Sequence, residues 1–234
     1  MPTINASKYG YMVSSASGTG AFSTVRNATS ATGTVVNQPT STSQIPVQFN
    51  QGFSSKGDSA TLRRQWWAFD VDTYSSGYTI TDLQIQFDPT TNTSTNFPIA
   101  VIKSTAQGNA DTNLSDTSWN DLDFNTLYSE NSSTNYWPDT NSVSTIDLNS
   151  TAISAFSTGY LKICIVWWLD YTGTGVLSTG NGNVYQNFSY TPRITFSAAA
   201  SGFTKKVNGI TASTGQDLNG VNYSDISKVN GVEG

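Results

Sequence analysis

Short stretches of alternating apolar and polar residues, separated by clusters of Ser, Thr, Asn and Gly, run through most of the chain. Alternation with a period of two puts one set of side chains on a buried face and the other in water, so each stretch reads as a half-buried strand. Leu83, Ile85 and Phe87 alternate with Asp82, Gln84, Gln86 and Asp88. In residues 63–71, Trp67, Phe69 and Val71 line one face, and Trp66, Ala68 and Asp70 the other. Phe97, Ile99 and Val101 make a further face, with Pro98 near the strand start, where a missing N–H does least harm. Residues 160–169 are the most apolar: Leu161, Ile163, Ile165, Trp167 and Leu169 share one face, and Tyr160, Lys162, Cys164, Val166 and Trp168 the other. A strand apolar on both faces is either central or has its second face against another subunit. Residues 193–196 read as a closing strand. Short alternating strands between turn clusters predict an all-β antiparallel sandwich.

One short helix interrupts the pattern. Asn149 or Ser150 caps it, Ala152, Ile153, Ala155 and Phe156 supply its apolar stripe, and Gly159 stops it. Residues 1–60 are polar, with three short apolar pieces around Tyr9–Val13, Ala21–Val25 and Ile45–Phe49. These are either the first strands of the sandwich or an extended arm lying on a neighbour. Residues 61–200 hold the strongly patterned domain, and residues 201–234 a repeat. Val207-Asn208-Gly209-Ile210, Leu218-Asn219-Gly220-Val221 and Val229-Asn230-Gly231-Val232 recur eleven residues apart, each preceded by Lys206, Asp217 or Lys228. A fixed period signals one small unit copied along the chain. Asn-Gly is the strongest two-residue turn signal, because both residues tolerate positive φ. Val207, Ile210, Leu218, Val221, Val229 and Val232 give each unit a small apolar patch. Such patches make no core of their own and are expected to dock on the parent domain, a sister subunit or a neighbouring protein.

Composition argues against catalysis. The chain of 234 residues has no His and one Cys, Cys164. Its only Glu residues are Glu130 and Glu233. General acid–base chemistry near neutral pH recruits His or a carboxyl group tuned by burial. Net charge is −5 and the closest basic runs are the pairs Arg63-Arg64 and Lys205-Lys206. Nucleic acid needs a focused positive field and is not an expected partner. No apolar stretch reaches the length of a membrane span, and residues 1–15 lack the pattern of a secretion signal. Cys164 lies in an apolar run and reads as a small buried hydrophobe.

Residues 64–71 end an aromatic-rich strand in Phe69-Asp70 and resemble the arginine–aromatic–Phe-Asp start of DNRLRE-type domains, jelly rolls similar to carbohydrate-binding modules. Gly77 through Ile85 resembles the Gly-x-Thr-Ile-x-x-Ala-x-Leu step of that family. Ile146 through Ser150, followed by Gly159 through Ile163, resembles its Asp-Val-Thr, short helix, Gly-x-Leu segment. Pro192 through Phe196 resembles its closing strand, and Trp119 sits where the family has a Trp-rich loop. The resemblance covers residues 60–198 and implies a jelly roll. The loop 105–142 is longer than the family pattern, and the fuller arginine motif is absent. Separately, Asp225 through Val232 resembles the repeated Ile-x-Lys-Val-Asn-Gly-Val endings of structural proteins of tailed phages, which imply a virion component.

Three groups of residues carry candidate chemistry. Asp111, Asp116, Asp121 and Asp123 lie in one loop with four Asn residues. Hard oxygen ligands of this kind suit calcium, although the EF-hand glycine and closing Glu are missing; the alternative is a solvated acidic loop. Trp119, Tyr136 and Trp137 lie in the same polar loop. They either stack on the rings of a host glycan or pin the loop to the sandwich. Trp66 and Trp168, if exposed in the single subunit, mark a contact between subunits.

The expected protein is a jelly-roll sandwich with a polar N-terminal stretch and a repeated tail, without enzymatic activity or a required cofactor. It is expected in the virion of a tailed phage as a capsid decoration or a fibre-like accessory on head or tail. Its partners would be other virion proteins and further copies of itself, with a trimer favoured on symmetry grounds. A host-glycan-binding adhesin is the alternative.

Overall fold

The structure, a computed structural model, describes all residues except 39–44, 53–57, 76–77, 90–97, 107–111, 131–142, 157–158, 175–179, 187–189, 201–205, 208–209, 212–216, 219–220, 223–227, 230–231 and 234. Residues 45–52, 180–186 and the tail strands are described through backbone pairing. In chain order the elements of the main body are β1 (Thr3–Asn5), β2 (Lys8–Ser17), α1 (Ala21–Arg26), β3 (Val35–Asn37), β4 (Ile45–Gly52), β5 (Ser59–Asp70), α2 (Asp72–Ser75), β6 (Tyr78–Phe87) and β7 (Ile99–Ser104). A 3-10 helix (Asp116–Asn120) follows, then β8 (Leu122–Leu127), β9 (Ser144–Asp147), α3 (Ser150–Ala155), β10 (Tyr160–Trp167), α4 (Trp168–Thr172), β11 (Gly180–Gln186) and β12 (Arg193–Ala200).

These strands form an all-β sandwich of two antiparallel sheets. The small sheet runs β1-β12-β6-β9, and the large one β11-β4-β5-β10-β7-β8, with β2 and β3 joined to it through β5. The first residues are therefore strands of the sandwich, since β1 pairs with β12 and β2 pairs with β5 along its whole length. Leu83, Ile85 and Phe87 of β6 point inward as their alternation requires, and Trp67 of β5 packs on Phe87 across the sheets with ring centroids 6.1 Å apart. Phe156, just past α3, closes one end against Phe196 at 4.9 Å. Asn149 caps α3 as expected, its side chain accepting from the backbone N–H of Thr151 and Ala152.

Three sequence readings are corrected. The described residues contain five short helical segments rather than one. Ala21–Val25 is not a strand but most of α1. Gly18 and Gly20, both at positive φ, end β2 and turn the chain, after which Ala21, Phe22 and Val25 share a buried helical face. Trp168 and Leu169 do not continue β10; they open α4. α1, the 3-10 helix and α4 cover the large sheet around Arg64, and β10 is buried on both faces within a single subunit. Gly10 has no side chain for a steric reason: a Cβ there would overlap the Val36 carbonyl of β3.

The tail repeat forms three separate hairpins. β13 (Lys206–Val207) pairs with β14 (Ile210–Thr211), β15 (Asp217–Leu218) with β16 (Val221–Asn222), and β17 (Lys228–Val229) with β18 (Val232–Glu233). Among the described residues each is its own two-stranded sheet, paired neither with a strand of the sandwich nor with another hairpin.

Candidate functional site

β5 shares one edge between two partners. β4 pairs with residues 59–63 and β10 with residues 65–70, leaving Arg64 at the split. Arg64 lies on the face of β5 that α1, the 3-10 helix and α4 cover, and its side chain is wholly buried. A buried guanidinium must have acceptors for its N–H donors, and its neighbours supply them. Asp170 of α4, 1% exposed, receives Nε at 2.7 Å and Nη2 at 2.8 Å, a bidentate pair. Nη1 donates to the Trp119 carbonyl at 2.9 Å, and Nη2 also reaches the Arg26 carbonyl at 3.2 Å.

A second cation completes the cluster. Arg26 Nε donates to the Asp170 carbonyl at 2.6 Å and Nη2 to the Tyr171 carbonyl at 3.2 Å, which ties α1 to α4. Aromatic faces fill the remaining sides. Arg64 lies 4.0 Å from the Trp119 ring centroid, and Arg26 lies 4.3 Å from that of Phe124. The Trp119 indole N–H donates to the Val25 carbonyl at 2.9 Å, so α1, α4 and the 3-10 helix are locked onto β5 by one network. Asp170 offsets one of the two positive charges, backbone carbonyls and aromatic faces meet the other, and the arrangement suits a structural clamp. Cys164 beside it is inert: burial pushes its thiol well above the ordinary value, the Asp170 carboxylate adds to this, and the Arg64 cation opposes it.

Of the aromatic residues singled out from sequence, Trp66 and Trp119 are buried and Trp168 is half-buried. Trp119 is fully buried, so its ring pins the loop to the sandwich and presents no face to a sugar. Tyr136 and Trp137 lie outside the described residues. Trp66 is 1% exposed and sits beneath Trp119, with centroids 6.3 Å apart; it is core, not a subunit contact. Trp168 is half-buried and packs on Tyr171 at 5.2 Å within α4.

Asp116 and Asp123 of the acidic loop make local hydrogen bonds. Asp116 accepts from the Thr117 N–H at 2.8 Å. Asp123 accepts from the Asn125 N–H at 2.9 Å and the Thr126 hydroxyl at 2.6 Å, and that hydroxyl is the main cause holding its carboxyl below the usual value. The Asp121 backbone carbonyl accepts from Thr105 N–H at 2.9 Å. Asp111 lies outside the described residues. Among the described residues, no three of His, Cys, Asp and Glu gather where they could hold a metal. The Asp116 and Asp123 side chains bind their own turns.

The outer face of the small sheet is polar. One row runs Asn5, Arg193, Gln86, Thr145 and the next Thr3, Thr195, Gln84, Asp147. Arg193 Nε and the Tyr190 hydroxyl both donate to Gln86 Oε1, and Gln84 Nε2 donates to Asp147 at 2.6 Å. This is the wet side expected of an antiparallel sheet.

In the tail, the register places Val207 opposite Ile210, Leu218 opposite Val221 and Val229 opposite Val232, each pair at the rung next to Asn-Gly. All three units repeat one arrangement. No helix among the described residues is long and apolar enough to cross a membrane. No family model matches the chain, and no curated protein matches it.

The Arg64–Asp170 pair was missed by sequence reasoning. Its signal was present: an arginine between Leu62 and Trp66 on an apolar strand face, and an aspartate closing the most apolar run, each needing a partner inside.

Proposed function

We propose that this protein is a non-enzymatic structural component of a tailed-phage virion, a capsid decoration or fibre-like accessory that holds its neighbours by many weak contacts. The observation that carries the reading is the tail: three hairpins of identical register, eleven residues apart, each standing as a separate two-stranded sheet. A lone two-stranded hairpin is at best marginally stable in water, so units this small gain their order from a surface they bind. Three copies on one chain multiply a weak affinity through effective concentration, which suits a repeating lattice.

The sandwich supports the reading by its self-sufficiency. Its most apolar strand is buried along nearly its whole length within a single subunit. The Lys228 through Val232 unit supplies the link to phage structural proteins through its resemblance to their endings. The glycan-adhesin alternative has lost Trp119 to the core and rests on Tyr136 and Trp137. Quantitative mass spectrometry of gradient-purified particles tests the proposal. The chain is expected in many copies per particle, at a fixed ratio to the major capsid or tail subunit. Its absence from particles, with the protein recovered only in the soluble fraction, would overturn the reading.

A further inference from the structure

Among the described residues, β11 is the one long edge in the sandwich that no other strand pairs. All seven of its residues pair with β4, from Gly180 opposite Gln51 to Gln186 opposite Ile45, with no break in register. No other described strand pairs with its outer edge. Edge strands expose unpaired N–H and C=O groups, and proteins blunt them by shortness, bulges, proline or charge. The other edges follow that rule. β1 and β3 have three residues each and β9 has four. β8 has a register shift against β7, and Asp123 folds back on Asn125 and Thr126 within it. β11, Gly-Asn-Gly-Asn-Val-Tyr-Gln, has no charge, no proline and no bulge.

We infer that β11 is a homodimer edge, pairing antiparallel with β11 of a second copy to join two large sheets into one. A two-fold axis through Asn183 puts Gly180 opposite Gln186, Asn181 opposite Tyr185 and Gly182 opposite Val184. Both glycines then face larger residues. Glycine inside an unbulged strand marks the close approach of another backbone. The strand is uncharged from end to end, so self-pairing incurs no repulsion and a charged foreign partner finds nothing to read. The contact is isologous and closed, giving a dimer where symmetry alone suggested a trimer. It is independent of the tail and of attachment to a particle.

The test is sedimentation velocity on the full chain across the micromolar range. The wild type sediments as a dimer. Asn183→Lys and Asn183→Asp, which set like charges against each other on the axis, each weaken association by about a hundredfold or more, with far-UV circular dichroism unchanged. An equimolar mixture of the two variants regains the dimer, because Lys then faces Asp. Asn183→Cys forms a disulfide-linked dimer on oxidation, since directly opposed Cα atoms lie about 4.5–5.5 Å apart and the native Cys164 is buried. A monomeric wild type, a dimer indifferent to both charges, or a mixture that fails to reassociate overturns the inference. If a charge variant misfolds, the cysteine variant decides: a covalent dimer upholds the edge, and a chain that stays uncrosslinked refutes it.

Discussion

Replacing Asp170 by Ala strips the Arg64 guanidinium of both oxygens of its bidentate partner and leaves it with two backbone carbonyls and an aromatic face. The cation is wholly buried and cannot reach water without opening the layer formed by α1, α4 and the 3-10 helix. Breaking one side of a buried pair costs about 3–5 kcal/mol. Arg64→Met has a similar cost by a different route: it leaves the Asp170 carboxylate with the more distant Arg26 guanidinium at 3.9 Å and removes the donors to the Trp119 and Arg26 carbonyls, about 1–3 kcal/mol per unsatisfied group. The double variant Arg64→Met, Asp170→Ala removes both charges together. Its cost therefore falls short of the sum of the single costs by about 2 kcal/mol or more. Equilibrium urea unfolding of the four proteins, followed by tryptophan fluorescence, measures all three values. Additive costs, or an Asp170→Ala loss below about 1 kcal/mol, would refute the reasoning that this pair clamps the outer layer onto β5.

Other outcomes follow from the same structure. Trp119→Ala destabilises by about 3–5 kcal/mol through lost packing and the lost bond to Val25, measurable by the same unfolding assay; near-wild-type stability would contradict its buried position. Burial, with a smaller contribution from Asp123, pushes the Tyr128 hydroxyl up to about 12 from an ordinary 10.0. The folded state therefore holds this proton more tightly than the unfolded chain; the stability it contributes is present below pH 10 and is lost between 10 and 12. An alkaline unfolding series on wild type and Tyr128→Phe shows it as a shallower loss in the variant. Cys164 is silent toward a thiol reagent in the native protein and reacts on unfolding; rapid native labelling would contradict its burial.

What the sequence made legible was local. Period-two runs such as Leu83 to Phe87 marked their strands because one buried face imposes alternation. Asn149 announced α3 because a cap acts on the next turn. The misreadings came from contacts across the chain. Ala21–Val25 alternates well enough for a strand, yet the glycines before it turn the backbone and a helical face serves the core better. For Trp66 and Trp119 the sequence left a buried and an exposed role both open, because nothing local shows that a loop 53 residues away folds over β5. Arg64 and Asp170 are 106 positions apart, and their pairing belongs to the assembled layers. β11, rich in Gly and Asn, resembles a turn cluster, and its strand character comes from β4 beside it. The tail is the opposite case: its eleven-residue period was plain in the sequence, and each unit pairs as the Asn-Gly signal predicts.

The most direct test of the adhesive account changes only the repeated rungs. Val207, Ile210, Leu218, Val221, Val229 and Val232 are all replaced by Ser in the full chain, and purified protein is cosedimented with particles lacking it. The wild type pellets with the particles at saturating stoichiometry, and the substituted protein, folded by circular dichroism and with an unchanged unfolding midpoint, stays in the supernatant. Equal retention of both proteins would contradict the claim that the three hairpins hold this protein in place.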